Sequence, residues 1–170
     1  MLSVLILAIF PLLMVFAAVS DLLTMTIPNM VSVILVAGFA LFALYIGAPM
    51  EMVMSHVLCA VAMLALAFGM FVAGWIGGGD AKLFAAIALW LGWERLPEYG
   101  VWVALLGGAL TLVIVLIRFY DLPEFVLKAG FMRRLADKGG GIPYGIALAI
   151  GGLLVYPQSR VWVSLSGYAS

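Results

Sequence analysis

Residues 57–86 of the chain read VLCAVAMLALAFGMFVAGWIGGGDAKLFAA, and this stretch decides the class of fold. No charged side chain occurs from 57 to 79, which is long enough for a helix that crosses a bilayer, since a span needs roughly 20 apolar residues. The same character extends over all 170 residues, of which 67% are hydrophobic and 9% charged. A soluble domain averages about 45–50% and about 25% on these two counts. The sequence therefore predicts an all-α, polytopic membrane protein.

Composition also excludes several classes of function. Eight basic and eight acidic residues give a formal net charge of +0, so there is no excess of positive charge for nucleic acid. The single cysteine, Cys59, excludes an internal disulfide and a cysteine zinc cluster. The mean hydropathy of +1.29 excludes a water-soluble enzyme and a disordered linker. We expect neither a metal nor another cofactor, and no nucleic-acid partner.

The few charged residues divide the chain into apolar runs of membrane-crossing length. We predict six transmembrane helices in one bundle, and we treat residues 1–170 as a single integral-membrane domain. Between helices 5 and 6, the charged stretch 118–138 has apolar residues at helical spacing from 125 to 135. This pattern predicts an interfacial helix that lies in the plane of the membrane. The predicted spans are 1–20, 28–49, 53–76, 81–97, 100–117 and 142–157.

The basic residues predict the orientation, because they favour cytoplasmic loops. With six spans, one face holds only Arg95 and Arg160. The opposite face is therefore predicted to be cytoplasmic, with both termini outside. That face holds Lys82, Arg118, Lys128, Arg133, Arg134 and Lys138.

Two acidic residues, Asp21 and Asp80, are flanked by apolar helices rather than by polar loops. Residues 22–79 between them have a length that fits two crossings, so both acids lie on the same, cytoplasmic face. Ionisable residues at membrane depth are costly and are functional candidates. A purely structural alternative exists for each acid: Asp80 as the cap of a helix, and Asp21 as an acceptor for amides in the turn before Pro28. Because both acids are predicted on the same face in nearly charge-free surroundings, a chemical role for the pair is favoured over a structural one.

Two adjacent carboxyl groups suit peptide hydrolysis. Close carboxyls do not both ionise easily, so they share a proton and titrate as a pair. The ionised member can then take a proton from water while the neutral member polarises a carbonyl. The alternative is a small proton- or cation-coupled transporter or channel that uses the acids as ion sites. A structural subunit of a secretion machine is a third reading, and it leaves the acids unexplained.

Three segments resemble one known family. The stretch GGGD at 77–80, followed by AKLFAA, resembles the type IV prepilin peptidases among the GxGD intramembrane aspartyl proteases. The stretches SDLLTMTIPN at 20–29 and IPYGIA at 142–147 match the same family in the same order. The supporting motif residues that the resemblance indicates are Gly77, Gly79, Lys82, Pro28, Asn29, Pro143, Tyr144 and Gly145.

The resemblance implies an aspartic endopeptidase with Asp21 and Asp80 as its catalytic pair. Its substrate would be a prepilin whose short basic leader is removed at the cytoplasmic face of the bacterial inner membrane. The pilus assembly machinery is left open as a further partner. The single cysteine and the first helix at Met1 resemble the short form associated with Flp (tight adherence) pili. We therefore expect peptidase activity without N-methyltransferase activity.

Overall fold

The computed structural model describes residues 1–120 and 123–167, and within that part every regular element is helical. The all-α prediction is confirmed. Helices suit an apolar environment because each one satisfies its own backbone N–H and C=O groups. A short 3₁₀ turn, Tyr156–Gln158, separates the last two α-helices. The α-helices are α1 (Leu2–Thr24), α2 (Asn29–Ile46), α3 (Met50–Val72), α4 (Gly78–Phe119), α5 (Glu124–Leu127), α6 (Gly130–Ala136), α7 (Gly145–Val155) and α8 (Arg160–Gly167).

Four of these helices, α1 to α4, are long and apolar enough to cross a membrane. A fifth span results if Gly145–Gln158 and Arg160–Gly167, which are bent by 48° at their junction, count as one crossing. The residues of the predicted fourth and fifth spans lie together in α4. A multi-pass membrane protein is therefore supported, while the count of six spans stays a prediction.

The 42-residue helix α4 is broken at Gly92, which has φ 68° and ψ 176°. This is the left-handed region that favours glycine. The rings of Phe84 and Tyr99 are stacked with centroids 5.7 Å apart, whereas 15 residues of straight helix would separate them by about 22 Å. The second half of α4 (93–119) therefore returns alongside the first half (78–91). We expected this break between 97 and 100, and Pro97 instead lies inside the second half.

His56 of α3 stabilises the break. Its Nδ1 donates a hydrogen bond to the carbonyl oxygen of Leu89 at 2.8 Å, one of the carbonyls that a helix end leaves without a partner. A Cβ on residue 92 would lie 2.9 Å from the imidazole Cε1, so only glycine admits the ring at this distance. The buried histidine is thereby accounted for as a structural residue.

The core surrounds the first half of α4, whose side chains are almost all buried from Leu83 to Leu91. Trp90 packs against Phe10 of α1 and donates from its indole nitrogen to the carbonyl of Leu35 in α2, at 2.9 Å. Lipid tails are as apolar as this core. Close packing and hydrogen bonds, rather than removal from water, therefore hold such a bundle together.

Two further predictions need correction. The interfacial helix is not one continuous element: α5 and α6 are separate, and Ala129 between them has an extended backbone. The predicted apolar face is consequently divided, with Phe125 exposed and Leu135 buried. Residues 121 and 122 of that stretch lie outside the described residues. The predicted last helix, 142–157, begins only at Gly145, and α8 beyond it was not predicted.

Candidate active site

The structure brings Asp21 and Asp80 together. Asp21 lies in the last turn of α1 and Asp80 in the first turn of α4, and both line one cavity of about 250 Å³. The side chain of Asp21 is buried, with 4% exposed, and Asp80 is half-buried. The cavity therefore holds two carboxyl groups from different helices, with Thr26 and Asn29 as the other polar side chains in its lining, and paired-carboxylate hydrolysis needs such a pair.

The turn after α1 forms one wall of this cavity. Met25 ends the helix with a left-handed backbone at φ 55°. The hydroxyl of Ser20 donates to the carbonyl of Thr26 at 2.9 Å, and the hydroxyl of Thr24 donates to the carbonyl of Ser20 at 2.8 Å. Pro28 then caps α2 in an extended conformation. These local bonds explain why the stretch 20–29 folds into a tight turn that leaves the Asp21 carboxyl inside.

The glycines before Asp80 let α4 approach that turn. A Cβ on Gly79 would lie 3.3 Å from Cβ of Ile27, and a Cβ on Gly77 would lie 3.0 Å from Oδ2 of Asp80. The backbone N–H of Gly77 donates to the same Oδ2 at 3.3 Å. Asp80 thus caps its own helix, as the structural alternative held, and also lines the cavity. Capping and chemistry are compatible here, because a carboxylate has several acceptor positions.

The third motif reaches Asp21 from the far end of the chain. The backbone N–H of Gly145 donates to Oδ2 of Asp21 at 2.7 Å, inside the protein. Gly145 begins α7, and the N–H groups at a helix N-terminus attract negative charge. A Cβ at this position would lie 2.7 Å from the same oxygen and 2.6 Å from Cδ1 of Ile27. Gly145 is therefore both a hydrogen-bond donor to the carboxyl and a position without room for a side chain.

The other supporting residues make hydrogen bonds or packing contacts of their own. Pro143 is buried, and the hydroxyls of Tyr144 and Thr111 are hydrogen-bonded at 3.0 Å. Lys82 is exposed and donates from its amine to the side-chain oxygen of Asn29 at 2.8 Å. This bond joins the start of α4 to the start of α2. Lys82 and Asn29 thus join α4, which carries Asp80, to α2, and no described hydrogen bond joins either of them to an acid.

Arg118 is a supporting residue that sequence reasoning missed. Its guanidinium donates to the carbonyls of Leu135, Gly140 and Gly141 at 3.0, 2.9 and 2.8 Å. These bonds tie the loop that leads into Gly145 to the end of α4. From the sequence, Arg118 was only one of the basic residues that predict the cytoplasmic face. The run of three glycines at 139–141 was the available signal, because glycine leaves its backbone carbonyl open to the five N–H donors of a guanidinium.

Other chemistry-bearing residues lie away from this cavity. His56 and Cys59 are buried in α3, and neither lines the cavity of the two acids. Among the side chains that the structure describes, no group of three or more histidine, cysteine, aspartate or glutamate residues has an arrangement that could hold a metal. In the described part of the chain, the two acids are the candidate groups for chemistry in this cavity.

Comparisons with known proteins agree with the motifs. The family model described as the type IV leader peptidase family matches residues 8–132. Two curated relatives, each named prepilin leader peptidase/N-methyltransferase, come from Burkholderia pseudomallei strains 1026b and K96243. Each is 53% identical over 38 residues, which is 22% of this chain and 12% of the relative's length. No solved structure matches the chain. The chain belongs to the type IV leader peptidase family.

Proposed function

We propose that the chain is an intramembrane aspartic endopeptidase that removes the leader peptide from prepilins, with Asp21 and Asp80 as its catalytic pair. One observation carries the proposal: two carboxyl groups from distant helices line a single cavity in an otherwise weakly charged protein. Membership of the type IV leader peptidase family supports leader cleavage as the reaction. The names of the two Burkholderia relatives support prepilin as the substrate.

The proposed mechanism uses one water molecule. The ionised carboxylate takes a proton from the water, whose oxygen attacks the carbonyl carbon of the scissile peptide. The neutral carboxyl gives its proton to the carbonyl oxygen, and a tetrahedral intermediate forms. The carbon–nitrogen bond then breaks as the leaving amine takes the proton that the first carboxylate had accepted, and one hydroxyl of the intermediate returns its proton to the second carboxylate as the carbonyl re-forms. The products are a new carboxyl terminus on the leader and a new amino terminus on the pilin.

Gly145, Tyr144 and Arg118 act as positioning residues in this scheme. The N–H of Gly145 holds one oxygen of Asp21, which leaves the other oxygen for water. Arg118 and Tyr144 hold the segment that presents this N–H. Positioning matters because a displacement of about 1 Å can lower a catalytic rate by about 10²-fold.

We further propose that the single domain crosses the bacterial inner membrane six times, with the acids on the cytoplasmic side. The reversal at Gly92 supports counting α4 as two crossings. The first half of α4 extends about 21 Å from the reversal and the second half about 40 Å. Asp80 is thus recessed relative to the end of α4. Water and the leader would reach it through the cavity beside the 25–29 turn.

The proposal is restricted to the peptidase reaction of a Flp-type enzyme. Transfer of a methyl group to the new amino terminus is not part of it. The mass of the processed pilin tests both statements at once, because leader loss lowers the mass and N-methylation adds one methyl group. A processed and methylated pilin would contradict the restriction while supporting the peptidase.

Co-expression with a candidate Flp prepilin tests the catalytic pair. We expect Asp21→Asn and Asp80→Asn each to lower leader removal by at least about 10³-fold, since groups that act as a unit each disable it. Glu51→Gln is the matched control, because Glu51 is an exposed carboxylate at the start of α3. All variants must be present in the membrane at similar levels. Cleavage at the normal rate by either asparagine variant would show that the pair is wrongly assigned.

A further inference from the structure

Asp80 also lines a second and larger cavity of about 500 Å³. We call it the apolar groove. In the described part of the chain, Asp80 is the one charged residue that lines it. The groove lies between α3, both halves of α4 and α7, and its walls include Ala67, Phe84, Ala104, Gly108 and Leu148.

One wall of the groove is built from small residues on the second half of α4. Ala104 and Gly108 are exposed, and a Cβ placed on Gly108 or Gly100 would meet no atom within 4 Å. Gly107, one position away, faces inward, where its Cβ would lie 3.2 Å from the ring of Tyr144. The groove therefore opens sideways from α4 and is closed on the side of α7. In a bilayer, this opening would face lipid.

The groove is continuous with the candidate active site. Asp80 lines the polar cavity together with the 25–29 turn and lines the apolar groove together with Phe84 and Gly100. Phe84 lies one helical turn beyond Asp80 towards the reversal at Gly92, so the groove extends from the acid deeper into the bundle. A chain that passes Asp80 would consequently meet polar groups on one side and apolar walls on the other.

Resting on the function proposed above, we infer that the apolar groove binds the hydrophobic segment that directly follows the scissile bond of the prepilin. A prepilin has a basic leader on one side of the cleaved bond and an apolar helix on the other. This order matches the polar cavity and the apolar groove on the two sides of Asp80. A volume of about 500 Å³ is in the range of specific ligand sites. It accommodates one face of the first turns of a helix, while the rest of that helix stays in lipid. The sideways opening provides entry from the bilayer.

Crosslinking tests occupancy without requiring cleavage. A benzophenone amino acid replaces Ala104 in the groove or, as a control, Leu112 on the exposed face of the same half of α4. Both are made in the Asp80→Asn background so that bound prepilin is retained. We expect prepilin adducts from position 104 at least tenfold above those from position 112. Adducts with lipid alone, or with a second copy of this chain, would overturn the inference.

A kinetic split tests the role of the groove in cleavage. Gly108→Leu and Ala104→Phe fill the groove, and Leu112→Phe is the lipid-facing control. We expect the groove variants to raise KM for full prepilin at least tenfold, and to cleave a short soluble peptide without the apolar segment at the wild-type rate. The inference would be overturned if the groove variants had the wild-type KM for prepilin, or if they lost as much activity on the short peptide as on prepilin. If the wild-type protein cleaved neither substrate, the proposed function would be refuted. The crosslinks alone would then test whether the groove binds the apolar segment.

Discussion

Replacing Gly145 by alanine disturbs the candidate site through a single methyl group. The new Cβ would lie 2.7 Å from Oδ2 of Asp21 and 2.6 Å from Cδ1 of Ile27. Ordinary van der Waals contact begins at 3.4 Å, so the carboxyl and the glycine backbone must separate by roughly 0.7 Å. The 2.7 Å hydrogen bond from Gly145 to Asp21 would lengthen to about 3.4 Å, longer than the usual 2.7–3.2 Å of an N–H···O bond, and would be much weakened.

The size of the effect follows from this displacement. A hydrogen bond to a charged group contributes about 1.5–3 kcal/mol, and a misplacement of about 1 Å costs about 10² in rate. A 10²-fold loss corresponds to about 2.7 kcal/mol of transition-state stabilisation, so the two estimates agree. We expect Gly145→Ala to lower kcat by about 10²-fold with little change in KM, since the apolar groove is not lined by this residue.

The assay follows leader loss by mass in membranes that contain equal amounts of each protein. Gly151→Ala is the matched control, because Gly151 lies in the same helix and its Cβ would lie 3.1 Å from Cγ2 of Val103. It introduces milder crowding, at 3.1 Å rather than 2.6 Å, at a site without a carboxyl, and thermal unfolding of both variants measures the crowding. The reasoning is refuted if Gly145→Ala retains more than a third of the wild-type kcat. It is also refuted if Gly151→Ala loses as much activity as Gly145→Ala.

Three further perturbations test the fold around the site. Arg118→Lys keeps the charge but not the geometry that reaches three carbonyls; we expect about a tenfold lower kcat in the leader-loss assay. Gly92→Ala combines a left-handed backbone with a Cβ 2.9 Å from an imidazole carbon; we expect at least about 2 kcal/mol lower stability, measured as a lower thermal midpoint. Leu23→Cys and Trp75→Cys, both exposed and made in a Cys59→Ser background, should react with an impermeant thiol reagent from the same face of the membrane.

Each of these tests has a control. Arg133→Lys changes an exposed arginine of α6 and should leave kcat unchanged. An equal loss of kcat in both variants would mean that the effect does not come from the carbonyl contacts of Arg118. Gly69→Ala lies in α3 where a Cβ meets nothing within 4 Å, and it should unfold at or above the wild-type temperature, because alanine favours the helix more than glycine does. Labelling from opposite faces would remove the basis for a shared catalytic face.

The long helices show what a sequence of this kind can predict. The first three predicted spans, 1–20, 28–49 and 53–76, lie within a few residues of α1, α2 and α3. They were predictable because charge and hydrophobicity belong to each residue separately and are read directly along the chain. The same reading explains why Asp21 and Asp80 stood out before the structure placed them in one cavity. Two crossings predict a shared face, but only the packing of the turn after α1 against the start of α4 puts both acids in the same cavity.

The break in α4 shows where such reading stops. Pro97 and the charges around it indicated the wrong position, because they are local signals for a helix end. The actual reversal at Gly92 depends on an imidazole from α3 that packs against the backbone. The prediction of one continuous interfacial helix, where the structure has the two short helices α5 and α6, was wrong for a similar reason. An apolar period can indicate a helical face without showing whether the backbone is continuous.

By itself, the sequence determined the helical membrane class, the approximate spans, the two acids and the motifs that place the chain in its family. Only the tertiary structure decided that the N–H of Gly145 holds Asp21, across 124 positions of chain, and that Arg118 secures the loop before it. It also decided that Asp80 lies at the junction of a polar cavity and an apolar groove. The physical reason is one of range. Hydrophobicity acts residue by residue, whereas a hydrogen bond or a missing Cβ acts over about 3 Å between segments that only the folded chain brings together.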